Sequence, residues 1–308
     1  MAENLILTGP DGTEYTFPGV SKVSIRKDGG GRVQYGESGG GNEQYIAMIN
    51  RTIESVSAAD IRAAGGLSPF SFAGSTLLTS VSIPTDINID TIPTYCFYNC
   101  ILLDAIDMPQ EVYSIEDSAF EFSGLSSVDL ANVTNIGTNA FAYTQLNDPV
   151  DIADGTLVLG GAFMGARLSQ GISVGHGCVI VPDGTFSQCE FTTFTMPVDS
   201  YLCNWFLTDS PGLFSLCRYL QSVDVTLDSG EVLGVDVKAH AWFMGCSELR
   251  SITIRSDYVP EADADTFGPG IYSAVPSNCI IYVRPAMVAA FQAADYWKNY
   301  NIQAIPTT

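Results

Sequence analysis

Phenylalanine returns along this chain at Phe72, Phe97, Phe120, Phe141, Phe163, Phe186, Phe214, Phe243 and Phe267, in steps of 25, 23, 21, 22, 23, 28, 29 and 24 residues. A fixed period of this size marks a stacked repeat. The flanking sequences agree with one another. SFAGSTLLTSVSIP (71–84), CFYNCILLDAIDMP (96–109), TFSQCEFTTFTMP (185–197), LFSLCRYLQSVDV (213–225) and WFMGCSELRSITI (242–254) share one pattern. A small or apolar residue precedes the Phe, a Cys or Ser follows it by three, and an apolar-x-apolar triplet closes the unit. Middle copies such as AFEFSGLSSVDL (119–130) are one residue shorter.

Each triplet alternates in, out, in, as a strand with one buried face does. The triplets are Val81–Ile83, Ile106–Met108, Val128–Leu130, Val150–Ile152, Ile172–Val174, Phe194–Met196, Val223–Val225, Ile252–Ile254 and Ile281–Val283. One short strand per repeat, always running the same way, predicts a parallel ladder. A unit this short cannot bury its own apolar face, so its neighbours must complete the core. The expected fold is therefore a repeat solenoid poor in α-helix.

The motif resembles the BspA-type leucine-rich repeat. NIGTNAFAYTQL (135–146) and SIEDSAFEFSGL (114–125) carry the first half of that consensus, and LLTSVSIP (77–84) the second. IIYVRPAMVAAFQAADYWKNYNIQAI (280–305) is similar to the strand and helix that cap such arrays. The resemblance runs from about Ile46 to Ile305. It implies a non-enzymatic recognition surface of the kind found on bacterial cell surfaces and in phage-encoded proteins.

Three blocks follow. Residues 1–45 lack the repeat. LILTG (5–9), EYTFPG (14–19) and KVSIRK (22–27) read as short strands, and the glycine-rich run 28–41 as a flexible joint. This block is the expected attachment point to a virion or surface scaffold. The solenoid spans 46–267, entered atypically through TIESVSAADI (52–61). The cap spans 268–308, where Met287, Ala290, Phe291 and Ala294 have amphipathic-helix spacing and Pro285 suits a first turn.

Charge narrows the partners. The net charge is −21, with 34 Asp and Glu against 13 Lys and Arg, which read as scattered. That balance argues against nucleic acid and anionic membranes, and no apolar run is long enough for a membrane span. Neutral glycans, cationic protein patches and divalent cations remain, although excess carboxylate also keeps a repeat protein soluble. The start, MAENLILTGPDG, has an acidic Glu3 and no basic-then-apolar signal pattern. The expectation is a phage virion protein of the tail or decoration type, released by lysis, that contacts a host surface protein or glycan. Assembly as a homo-oligomer is compatible with that role. The alternative is a BspA-like adhesin on the bacterial cell surface.

Candidate chemistry is sparse. Cys100, Cys189, Cys217 and Cys246 occupy a position that elsewhere holds Ser75, Ser123, Thr144 or Ala166, so it reads as a small buried slot for reduced thiols. Cys96 and Cys100 lack a second pair at zinc spacing. His176 lies near Cys178, but neighbouring positions in a strand-like stretch rarely face each other, and no third group orients them. Phosphate-loop, nucleophile-elbow and dinucleotide patterns are missing, and no cofactor is expected.

The candidate binding surface lies on the outward middle residues of the triplets. Asp107, Asp129 and Asp151 belong to consecutive repeats and should stack about 4.8 Å apart. They form a candidate Ca2+ site, or simply a solvated column. Asp224 occupies the same position further on. Tyr98, Phe122 and Tyr143 follow the repeat Phe at similar offsets, as core of the return arm or as a lateral surface. Trp205 and Phe206 sit in an insertion, 201–212, that either packs over the array or supplies contacts.

Overall fold

The computed structural model describes residues 53–203, 212–227, 238–268 and 274–307, together with the backbone of four short strands before them. Those four are β1 (Leu5–Thr8), β2 (Glu14–Phe17), β3 (Val23–Ile25) and β4 (Val33–Tyr35). β1 pairs antiparallel with β2, and β3 with β4. The three strands expected in this block are present. β4 is an addition, lying within the glycine-rich run read as a joint.

The array opens with β5 (Ser55–Val56) and helix α1 (Ala58–Ala64). Ser57 and Asp60 form a reciprocal capping box, which satisfies two amides at the helix start, and Gly65 ends the helix at φ 80°. Longer and shorter strands then alternate: β6 (Ser80–Ser82), β7 (Thr91–Ile92), β8 (Ala105–Asp107) and β9 (Ser114–Ile115). They are followed by β10 (Asn135–Ile136), β11 (Val150–Ile152), β12 (Leu157–Val158) and β13 (Ile172–Val174). Next come β14 (Val179–Ile180), β15 (Thr193–Thr195), β16 (Tyr201–Leu202) and β17 (Ser222–Thr226). The last elements are β18 (Ser251–Arg255), β19 (Ile280–Val283), α2 (Val288–Ala293) and β20 (Asn301–Ala304).

Three sets of inter-repeat bonds hold the coil. The expected strands form parallel sheets β5-β6-β8, β11-β13 and β15-β17-β18-β19-β20. The short strands form a second parallel sheet, in the order β7-β9-β10-β12-β14-β16. It places Ile92, Ile115, Ile136, Val158, Ile180 and Leu202 in one fully buried column. On the third side, the amide of each repeat Phe from Phe72 to Phe243 donates to the carbonyl just before the next repeat Phe, at 2.8 to 3.0 Å.

The phenylalanines themselves stack. From Phe72 to Phe267 successive ring centroids lie 5.2 to 6.1 Å apart, with interplanar angles of 4 to 22°. Each ring buries roughly 1.5–3 kcal/mol of transfer free energy, and the stacking adds to it. The column ends on Phe267, which meets Trp297 edge-on at 5.1 Å and Tyr300 at 4.4 Å.

Two expectations need correction. Val128–Leu130 is not a strand. Ser126 still bonds both neighbouring repeats, donating to Asp104 O and accepting from Asn147 N, but the Asp129 carboxylate then takes the Ala131 amide and turns the chain away. The cap is also not the single helix that the spacing of Met287, Ala290, Phe291 and Ala294 suggests. α2 has six residues between single turns at Pro285–Met287 and Trp297–Asn299, because Ala294 is extended and Tyr296 left-handed. Of the four expected apolar positions only Phe291 is fully buried. Trp297 does the remaining sealing, and its indole donates to Pro260 O at 2.9 Å. β20 then adds the last parallel rung.

Candidate interaction surface

The outward positions of the longer strands stand in register: Ser82 beside Asp107, Asp151 beside Ser173, and Thr195, Asp224, Thr253, Tyr282 and Gln303 in one row. Asp107, Asp129 and Asp151 are exposed, as expected, but they do not form a continuous carboxylate column. Ser82 donates to Asp107 at 3.0 Å, Ser173 donates to Asp151, and Asp129 is taken up by its own turn. Hydroxyl neighbours thus relieve the repulsion that stacked carboxylates would feel. Among the described residues no group of three or more His, Cys, Asp or Glu is placed to hold a metal ion. Asp224 is half-buried against the Arg255 guanidinium, whose own pKa is lowered by burial and by nearby Arg284. Trp205 and Phe206 lie outside the described residues.

Tyr98, Phe122 and Tyr143 are brought together on the turns that carry the repeat phenylalanines. Phe122 meets Tyr98 edge-on at 5.9 Å and stacks on Tyr143 at 4.8 Å. Phe122 is exposed and the two tyrosines half-buried, so this is a lateral ridge rather than core. Three exposed apolar residues that the sequence reading passed over, Leu77, Ile101 and Leu102, lie on the bends just after the first two such turns. The signal was present in the aligned repeats, since that bend is polar or glycine in most of the others.

The sulfur and imidazole groups do not converge. All eight cysteines are buried and none is in a disulfide, and burial pushes Cys100 and Cys217 up to about 12. Cys178 points inward, its thiol donating to Ala153 O at 3.1 Å. His176 instead faces solvent, with Nδ1 3.0 Å from the Asp199 carboxylate, so the two make no nucleophilic pair. His240 is tied to Asp263 in the same fashion, one repeat on. No helix among the described residues is long and apolar enough to cross a membrane.

Parallel rungs, a stacked aromatic interior and a recurring turn define a leucine-rich repeat solenoid. Residues 66–168 match the family described as BspA type Leucine rich repeat region, in six copies. That stretch of the chain consists of BspA-type leucine-rich repeats, and the same phenylalanine turn recurs beyond it through Phe267. A leucine-rich repeat protein from Bacteroides ovatus ATCC 8483, known from a crystal structure, is similar at 14% identity over 93% of this chain and 99% of that one, with a TM-score of 0.31. No curated protein matches the chain.

Proposed function

We propose that this protein is a non-enzymatic recognition module whose solenoid binds a partner through its outward surface. The observation that carries the reading is the register of that surface. Interior positions are spent on the stacked phenylalanines and the buried Ile/Val column, while Asp107, Asp151, Ser173 and Thr195 stand exposed on parallel rungs. A rigid sheet face can vary such positions without disturbing the core, which is how solenoids serve as binding surfaces. The fold alone does not choose a ligand, so the assignment rests on this surface.

The setting we favour is a phage virion, in the tail or as decoration, with residues 1–45 attaching the solenoid and the repeats touching a host surface protein or glycan. Two antiparallel pairings before the array support a separate attachment block. Proteomics of purified particles, run beside the washed cell surface of the source strain, tests this. Stoichiometric recovery in particles is the expected result. Recovery on cells alone would overturn the virion setting and make the protein a cell-surface adhesin.

A further inference from the structure

The first two phenylalanine turns carry exposed aliphatic side chains on a bend that is polar or glycine in the others, Tyr219 apart. After the Cys/Ser slot each repeat places one or two residues on a bend: Thr76 and Leu77, Ile101 and Leu102, Gly124, Gln145, Arg167, Glu190, Arg218 and Tyr219, then Ser247 and Glu248. Arg167 and Glu190 pair across neighbouring repeats at 3.3 Å, which shows what this bend ordinarily carries. Leu77, Ile101 and Leu102 remain 42%, 51% and 49% exposed. The following turn lies directly against them, since a β-carbon on Gly124 would sit 2.4 Å from Ile101 O, and it presents the exposed Phe122. An apolar corner left open to water marks a contact site.

Charge says what it contacts. Between Arg62 and Arg167 the chain has no Lys or Arg, yet it carries Asp86, Asp90, Asp104, Asp107, Glu111, Glu116, Asp117, Glu121, Asp129, Asp148, Asp151 and Asp154. The cations are therefore not scattered: they are excluded from this third of the chain. Asp104 and Asp107 follow Leu102 on the same rung, and both are exposed. A second copy of a chain at −21 would be repelled, and an anionic membrane likewise. Apolar anchors bordered by carboxylates complement aliphatic side chains set among lysines or arginines.

We propose that the corner formed by Leu77, Ile101, Leu102 and the Asp104–Asp107 rung docks a basic polypeptide segment that inserts apolar side chains. This rests on the recognition reading above and names the partner's chemistry. The test is fluorescence anisotropy of the full chain with a labelled synthetic peptide alternating lysine and leucine, at low and at physiological salt. Leu77→Gln/Ile101→Gln/Leu102→Gln should weaken binding about tenfold. Asp104→Asn/Asp107→Asn should weaken it and flatten its salt dependence. Glu248→Gln/Asp295→Asn, which removes the same charge elsewhere, should leave it within about twofold. The substituted side chains are exposed, and unchanged melting temperatures verify that the variants fold. Equal loss in the Glu248/Asp295 variant, or equal affinity for a lysine–serine peptide, would overturn the proposal by reducing the binding to non-specific charge. Stoichiometric Ca2+ displacing the peptide would overturn it too, assigning the carboxylates to a cation. Peptide binding that all three variants leave equal would overturn this corner while leaving recognition elsewhere on the solenoid standing, so the two failures are distinguishable.

Discussion

At the scale of single residues, one buried slot explains a preference for cysteine. The thiols of Cys100, Cys189, Cys217 and Cys246 donate to the carbonyl of the repeat Phe one turn back, at 3.1, 3.1, 2.9 and 3.0 Å. Ser75 and Ser123 occupy the same slot, and their buried hydroxyls have no partner among the described residues. No Phe precedes Ser75 at the repeat spacing. Ser123 has one, but its C–O bond is shorter than a C–S bond and the hydroxyl falls short. Thr144 turns to its own Phe141 O instead, at 2.8 Å. A buried hydroxyl without a partner costs about 1–3 kcal/mol. Cys217→Ser should therefore destabilise the protein more than Cys217→Ala, although serine is the closer isostere, and Ser123→Cys should stabilise it by about 1 kcal/mol. Urea unfolding of the three variants decides it; Cys217→Ser no worse than Cys217→Ala would refute the account. The sequence shows that the slot is small and tolerant. It hides the acceptor, a backbone carbonyl some two dozen residues away or more.

At the scale of elements, the repeat is built on strained turns. The second residue after the repeat Phe is left-handed in eight successive units, with φ between 55° and 80°, yet it is glycine only at Gly74, Gly165 and Gly245. Asn99, Phe122, Tyr143, Gln188 and Leu216 hold the same conformation at a cost of about 1 kcal/mol each. Gln188 is exposed, so Gln188→Gly should raise stability by a few tenths to 1 kcal/mol after the entropy of the unfolded glycine is counted. Phe122→Gly relieves the same strain but removes a ring stacked on Tyr143, and should show no gain. Thermal melting of the two variants separates strain from stacking. The strands divide along the same line of legibility. Triplets such as Val150–Ile152 alternate visibly, because three residues suffice to show a period of two. The second sheet has two-residue strands, too short for any alternation, and only the 21- to 23-residue spacing of Ile92, Ile115, Ile136, Val158, Ile180 and Leu202 betrays it. The break at Val128–Leu130 is invisible in the pattern, since Asp129 fits an outward position equally well as a strand residue or as the acceptor of a turn.

At the scale of the whole molecule, order in the array passes from neighbour to neighbour. Each Phe ring touches the ring before and the ring after, and stability is approximately a sum of repeat and interface terms. The ends then matter in a different way from the middle. Trp297 seals the last ring, Phe267, and packs on Phe291 of α2 at 5.2 Å. Phe141 lies between Phe120 and Phe163, both 5.4 Å away. Truncation to alanine at either site removes a fully buried aromatic, at roughly 3–5 kcal/mol. The costs are similar, but their distribution along the chain should differ. Trp297→Ala should release β19, β20 and the Phe267 turn first, so hydrogen exchange accelerates there while the amides of β7, β9 and β10 keep their protection. Phe141→Ala should instead uncouple the array at its centre, giving a second transition on denaturation as the two flanks lose their shared ring. Uniform acceleration of exchange by Trp297→Ala would mean that the rungs unfold as one cooperative unit, with coupling between repeats exceeding the stability of any one of them. Local release would mean that the far end can loosen while the acidic corner at Leu77, Ile101 and Leu102 stays formed. Recognition at that corner would then be insulated from damage to the cap.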